Sequence, residues 1–107
     1  MVTTPRMTIP TQLVLQALVE ADEAYGAELG ARTHLPSGTV HPILARLEGL
    51  GWVASRWEAI DPATEGRPAR RYYHLTEDGR ASTRAALDRA TRHVTVSARP
   101  RVVRGLS

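Results

Sequence analysis

The sequence contains no cysteine, no phenylalanine and no lysine. Without cysteine, a chain of 107 residues cannot form a disulfide scaffold, a cysteine-ligated zinc site or a thiol-dependent catalytic site. Its longest uninterrupted apolar runs are only a few residues long, so no segment is long enough to cross a bilayer. The first residues also lack the apolar stretch of a secretory signal. We therefore expect one soluble, cytoplasmic domain with a single core.

Signatures of catalysis and of metal binding are missing as well. The chain has no nucleophile elbow, no glycine-rich phosphate loop and no paired catalytic carboxylates. The four histidines are dispersed, and no acidic pattern completes a metal site around His34, His41, His74 and His93. We expect no enzymatic activity, no metal and no cofactor.

All 14 basic residues are arginine, and their distribution along the chain is uneven. Residues 1–36 carry a net charge of −2, residues 37–75 of +1 and residues 76–107 of +4. An isoelectric point near 10.2 with positive charge gathered towards one end is typical of proteins that bind polyanions. A codon bias towards arginine best explains the missing lysine, so it is the distribution of the charge that favours nucleic-acid binding, without establishing it.

The spacing of apolar residues predicts three helices in the first half of the chain. The first covers about residues 10–22, and a shorter one runs from Tyr25 to about His34. Pro36 ends the second helix because proline disfavours helix in the residue before it, and Ser37 is the expected N-cap of the third. The apolar positions that predict the buried side of the third helix are Val40, Ile43, Leu44, Leu47 and Leu50.

After Gly51 the period of the pattern changes from a helical one to a strand-like one. Residues 52–57 and 71–75 predict two strands, joined by a loop over residues 61–68, as a long antiparallel hairpin. Tyr73 and Leu75 are expected to face the core. Thr76 is the expected cap of a last helix over about residues 77–96, whose thin apolar stripe consists of Thr83, Leu87, Ala90 and Val94.

This order of elements predicts an α+β, mainly helical fold, a winged helix-turn-helix. It consists of three helices, a two-stranded β-hairpin wing and a C-terminal dimerisation helix. The expected organisation is a flexible N-terminus (residues 1–8), a DNA-binding domain (9–76), the dimerisation helix (77–97) and a basic, disordered tail (98–107).

The third helix has the composition of a helix that reads the DNA major groove. Such a helix is apolar towards its own domain and small or polar on the other side. Ser37, Thr39 and His41 lie in its first turn and Arg46 about two turns on, while Pro42 offers an apolar contact to a thymine methyl group. An ordinary amphipathic surface helix would show much of the same pattern.

Three arginines, Arg67, Arg70 and Arg71, cluster at the predicted hairpin tip beside Pro68. Guanidinium groups at such a tip can hold phosphates or enter the minor groove. The alternative is a solvated turn whose charges prevent edge-to-edge pairing of the hairpin.

Two motifs resemble those of the PadR family of transcriptional regulators. The segment SGTVHPILARLE at 37–48, followed by GWV at 51–53, resembles the recognition helix of that family. The segment GRPARRYYHLTEDGR at 66–80 resembles its wing and the start of its last helix, and Tyr25-Gly26 fits the start of its second helix. The resemblance covers about residues 8–82.

The resemblance implies a homodimeric winged-helix repressor that binds a pseudo-palindromic operator, with the last helix exchanged between subunits. The residues that would face DNA are Thr39, His41, Pro42 and Arg46 on the helix and Arg67, Arg70 and Arg71 on the wing. The family usually has Tyr where this chain has His41. Some small relatives bind flat aromatic drugs through an aromatic residue of the last helix, and this helix has none.

We expect the dimer interface to be formed by Leu87, Ala90 and Val94, assisted by Leu13 of the first helix. Two other functions stay open at this point. A winged-helix module can bind another protein instead of specific DNA, and a small-molecule effector of unknown identity can regulate such a dimer.

Overall fold

The computed structural model describes residues 4–90 of the chain. The elements in this part are α1 (Ile9–Ala21), β1 (Ala24–Tyr25), α2 (Gly26–Thr33), α3 (Ser37–Gly49), β2 (Val53–Trp57), α4 (Pro62–Glu65), β3 (Arg71–Leu75) and α5, which is helical over residues 77–90. The mainly helical α+β architecture is confirmed. None of the helices within residues 4–90 is both long enough and apolar enough to cross a membrane.

Helix α1 begins where its sequence offers a cap. The Thr8 side chain accepts a hydrogen bond from the Thr11 amide at 3.3 Å, and the Gln12 side chain donates to the Met7 carbonyl at 2.9 Å. Pro5 is buried. These contacts hold residues 5–8 against the domain, where the sequence led us to expect a loosely held segment.

Helices α1, α2 and α3 enclose most of the core. Pro36, and not the predicted Ser37, is the N-cap of α3, and Ser37 is the first helical residue without a capping side-chain bond. The cap shifts by one residue because the Pro36 carbonyl accepts from the amides of Thr39 and Val40, at 2.9 and 3.1 Å. The largest fully buried side chains are Trp52, Leu15, Leu18, Leu29, Leu44, Leu47, Val14, Val40 and Thr83.

The predicted hairpin is present and is part of a three-stranded antiparallel sheet in the order β1-β3-β2. In the β2–β3 register, Val53 pairs with Leu75 and Trp57 with Arg71. Tyr73 and Leu75 face the core as predicted. The third strand, β1, was not predicted because two residues are too short to show an alternating pattern.

The connection between β2 and β3 is more ordered than the predicted loop over residues 61–68. It contains the short helix α4, which begins at Pro62. The Asp61 side chain caps α4 by accepting from the Ala63 amide at 3.1 Å and from the Thr64 hydroxyl at 2.9 Å. Gly66 ends α4 in the left-handed conformation, with φ of 71°. The same Asp-Pro and Gly signals that indicate turns also begin and end a single helical turn.

Helix α5 packs directly on the chain at the start of β2. Its predicted cap is confirmed, since the Thr76 hydroxyl accepts from the Gly79 amide at 2.9 Å. A Cβ at position 79 would collide with the Trp52 carbonyl, so only glycine permits this approach. Thr83 and Ala86 are buried in the core beyond it. Residues 91–96 of the predicted helix lie outside the described residues.

Candidate nucleic-acid interface

Helix α3 has one buried side and one side open to solvent. Val40, Ile43, Leu44 and Leu47 are buried. The exposed residues of the opposite side include Ser37, His41, Pro42, Ala45 and Arg46, and Thr39 is half-buried at its edge. An exposed helical side lined by small and polar residues has the dimensions and chemistry that the major groove accepts. The structure thus brings the five predicted residues of α3 onto or beside one solvent-exposed side.

Arg46 is the available cation of this helix. Its side chain is exposed and forms no hydrogen bond or ion pair with any residue in the part of the chain that the structure describes. Its donors therefore remain free for a base edge or a phosphate. The acidic side chain of α3, Glu48, is half-buried and is engaged with the wing, as described below.

Arg67, the first predicted wing residue, closes the base of the connection between β2 and β3. Its two terminal nitrogens donate to the two carboxylate oxygens of Glu58 at 2.8 and 3.0 Å. The Arg70 amide donates to the same carboxylate at 3.2 Å. These hydrogen bonds, led by those from Arg67, lower the pKa of Glu58 to about 2. The Arg67 donors are therefore largely occupied within the wing.

Arg71 joins the wing to helix α3. Its Nε donates to the Ser55 hydroxyl at 2.9 Å, and its terminal nitrogen lies 3.2 Å from the nearer carboxylate oxygen of Glu48 on α3. Its guanidinium also lies over the Trp57 ring, 5.7 Å from the centroid. This side chain therefore braces β3 against β2 and α3.

Arg70 differs from its two neighbours. Its guanidinium stacks over the Tyr25 ring at 4.4 Å from the centroid. Stacking uses the flat face of the group and leaves the N–H edge available, and this edge has no hydrogen-bond partner among residues 4–90. Among the three predicted wing arginines, Arg70 is the one whose donors remain open.

Two wing residues were not singled out from the sequence. Arg56 makes a two-pronged hydrogen bond to Glu23, at 2.7 and 2.9 Å, which lowers the pKa of that carboxyl, and it also stacks on Tyr72. Trp57 is 64% exposed although it shares a strand face with Val53, because β2 extends beyond the core. An aromatic residue in a basic hairpin could have marked Trp57 as a candidate for the interface. No local sequence signal indicated the pairing of Arg56 with Glu23.

The predicted dimerisation residues lie on the surface of the domain. Leu13 is 40% exposed on α1, and Leu87 and Ala90 of α5 are half-buried. Val94 lies outside the described residues. An open pocket of about 250 Å³ separates α1 from α5, lined by Gln16, Val19, Arg84, Leu87 and Asp88.

Within residues 4–90, no group of three or more histidine or acidic side chains is arranged to hold a metal ion. The same residues contain ten arginines against eleven carboxylates, since four of the 14 arginines lie in residues 91–107. The described domain is therefore not strongly basic as a whole, and on α3 and the wing its available positive charge is local, at Arg46 and Arg70.

The structure resembles those of bacterial transcriptional regulators. PcaV from Streptomyces coelicolor superposes with a TM-score of 0.76 at 26% identity, over 92% of this chain and 68% of PcaV. PcaV in complex with its natural ligand gives 0.72 at 25% identity, over 92% of this chain and 66% of PcaV. The overoxidized AbfR bound to DNA gives 0.66 at 26% identity, over 94% and 68%. The chain thus spans about two thirds of the length of these regulators.

Comparison with curated protein sequences finds no match. The family model described as "Transcriptional regulator PadR-like family" matches residues 14–85, which is most of the chain. The matched region contains α2, α3 and the hairpin with its connection. Together with the winged-helix arrangement of these elements, the match establishes that this chain belongs to the PadR-like family of transcriptional regulators.

Proposed function

We propose that this protein is a sequence-specific transcriptional repressor that binds a pseudo-palindromic operator as a homodimer, with α3 in the major groove. The observation that carries the proposal is the exposed side of α3, which presents His41, Pro42 and Arg46 opposite a fully apolar side. The proposal places the protein in the cytoplasm and includes no enzymatic activity, cofactor or metal.

The proposed DNA contacts follow from which donors are free. Arg46 reads a base edge, because its guanidinium is exposed and unpaired within the described residues. Ser37, Thr39 and His41 contact the duplex from the first turns of α3, and Pro42 contacts a thymine methyl group. On the wing, Arg70 binds phosphate, whereas Arg67 and Arg71 hold the wing in shape. Of the three wing arginines expected from the sequence to contact DNA, this proposal keeps Arg70 as the one that does.

The proposed dimer interface lies on α1 and α5. Leu13 is exposed one turn before Gln16, which lines the pocket between these helices together with Leu87. A second subunit covering this side would bury Leu13, Leu87 and Ala90, and the contribution of Val94 expected from the sequence concerns a residue outside the described part of the chain. Two-fold symmetry would present two copies of α3 to one duplex, about one helical turn apart.

The direct test is selection of duplexes from a random-sequence pool, followed by gel shift with the DNA upstream of the protein's own gene. A sequence-specific dimer enriches an inverted repeat and shifts it at physiological salt, and light scattering after size exclusion gives the mass of two chains. A winged-helix module that binds a protein partner instead would enrich no sequence above the unselected pool. That outcome would overturn the proposal.

A small-molecule effector is a second element of the proposal, supported by the pocket between α1 and α5. PcaV, at 25% identity, was solved with its natural ligand. Here, Val19 and Leu87 provide apolar lining, Arg84 a cation and Asp88 a carboxylate, so a small aromatic carboxylate would place its anionic group at Arg84 and away from Asp88. Benzoate, salicylate and neutral benzamide serve as probes. Release of the selected duplex by the two carboxylates and not by benzamide would support an effector site, and no release by any of them would contradict this choice of ligand class.

A further inference from the structure

The imidazole of His41 occupies space that exists only because residue 26 is glycine. A Cβ built on Gly26 would lie 2.7 Å from Cε1 of His41, 3.4 Å from Nε2 and 3.6 Å from Nδ1. Carbon atoms that are not bonded to each other stay well beyond 3 Å apart. The edge of the ring therefore rests directly on the backbone of Gly26.

The two residues meet across the turn of the helix-turn-helix. Gly26 is the first residue of α2 and His41 the fifth of α3. Within residues 4–90 the glycines with positive φ are Gly51 and Gly66, and Gly26 is not one of them, so its backbone conformation is open to other residues. Position 26 therefore requires glycine for its lack of a side chain and not for its backbone conformation. The His41 imidazole fills the space that a side chain would take.

We propose that Gly26 is a positioning residue for DNA recognition, which sets the direction in which the His41 imidazole leaves α3. The proposal rests on the proposed function, in which His41 contacts the duplex. Gly26 itself touches no DNA in this account. Its effect is transmitted through the ring, because removing the space forces the imidazole into another rotamer.

An alanine at position 26 is well suited to test this. The atom that it would displace belongs to the end of a flexible, exposed side chain and not to the backbone, so the fold can accommodate the change. Alanine also favours helix more than glycine does. Gly26→Ala should therefore redirect His41 while leaving the domain folded.

The experiment compares five proteins: wild type, Gly26→Ala, His41→Ala, the double variant and the matched control Gly49→Ala. A Cβ at position 49 meets nothing within 4 Å. Each protein is used to select duplexes from a random-sequence pool. Its affinity is then measured by fluorescence anisotropy for the duplex that wild type enriches most and for a scrambled duplex.

We expect His41→Ala to weaken binding to the selected duplex about tenfold, the loss of one well-placed contact, and Gly26→Ala to cause most of that loss. Both should relax preference at the same base pair. The double variant should bind no worse than His41→Ala alone, because the two changes remove the same contact. Gly49→Ala should bind as wild type does.

The positioning role is overturned if the losses multiply in the double variant, if the loss is equal on the scrambled duplex, or if Gly26→Ala alone lowers the melting temperature. An NMR measurement tests the geometry without DNA, since the Hε1 proton of His41 should show a nuclear Overhauser effect to the Gly26 α-protons, and its absence contradicts the proposal. If His41→Ala binds as wild type while Arg46→Ala does not, the regulator function stands and the positioning role fails. If wild type enriches no duplex, both fail.

Discussion

Helix α3 and the wing both carry arginine, but within residues 4–90 the guanidinium groups are free on the helix and mostly engaged on the wing. On α3, Arg46 extends into solvent without a partner in the described part of the chain. On the wing, Arg67 is held by Glu58, Arg71 by Ser55 and Glu48, and Arg56 by Glu23. Arginines that look equivalent in the sequence thus differ in whether their donors are free. The proposed division of DNA contacts rests on this availability of guanidinium donors and not on the number of arginines in a segment.

The engaged arginines give the wing a defined shape. Glu58 follows β2 directly, and its carboxylate receives hydrogen bonds from both Arg67 and the Arg70 amide, which tie the two ends of the connection together. Arg71 then links β3 to α3. In the proposed complex with DNA, a wing held in this way would lose little conformational freedom, and pre-organisation of this kind favours binding. The cost is that fewer cations are free to contact phosphate.

The largest effect that we expect is on the stability of the domain that carries both α3 and the wing. Gly79→Ala places a Cβ against the Trp52 carbonyl, where neither backbone can yield easily. We expect a loss of about 3 kcal/mol in the free energy of unfolding, measured by urea titration. Gly49→Ala, with open space around its Cβ, should change stability little. Equal stability of the two variants would contradict the close packing of α5.

Arg46→Ala tests the helix side of the comparison. Removing a base contact should cost about 1–3 kcal/mol on the selected duplex and relax the preference at one position. The melting temperature should stay unchanged because the side chain is exposed and unpaired within the described residues. Anisotropy with matched and scrambled duplexes measures the effect. An equal loss on both duplexes would assign Arg46 to the phosphate backbone instead.

Arg70→Ala tests the one wing arginine whose donors are open. If Arg70 binds a phosphate, the variant should bind every duplex more weakly by a similar factor. The slope of log affinity against log salt should fall by about one. Titration at several salt concentrations measures this slope. An unchanged slope would show that stacking on Tyr25 is the whole role of Arg70.

The pH dependence of stability tests the bond between Glu58 and Arg67. The pKa of Glu58 is lowered from 4.5 to about 2 by its hydrogen bonds, so the folded state favours the ionised carboxylate. The resulting stabilisation is complete above about pH 4.5 and is lost as the pH falls from there towards 2. Wild type should therefore lose more stability over this window than Glu58→Gln, as measured by thermal unfolding. Parallel curves would contradict the pairing.

The smallest effect on DNA binding should come from Arg67→Ala. Its terminal nitrogens are already bonded to Glu58, so the variant should lose no DNA contact, and the Arg70 amide still bonded to Glu58 should keep enough of the wing's shape to hold the change in affinity for the selected duplex below about twofold. Arg70→Ala, measured in parallel, is the matched control at the same tip. A loss from Arg67→Ala as large as that from Arg70→Ala would remove the distinction between bracing and contacting arginines.

Local patterns allowed a good part of this structure to be predicted. The apolar spacing of α3, the alternation along β3 and the cap at Thr76 all act within a few residues, and each was confirmed. The errors concern equally local features, at which two alternative conformations of the same few residues have nearly equal free energies. The cap of α3 falls on Pro36 instead of Ser37, and the connection between the strands forms one helical turn instead of a loop.

Contacts between distant parts of the chain were beyond such patterns. Glu23 and Arg56 are 33 residues apart and Glu48 and Arg71 are 23 apart, and nothing in either neighbourhood specifies the partner. Residues far apart in sequence become neighbours only when the sheet forms beside α3. Amino-acid order alone settles which helices and strands form and which side of α3 is apolar, because these depend on near neighbours. The tertiary structure alone decides which arginines stay free and brings His41 against Gly26, because both depend on packing between elements that are distant in the sequence.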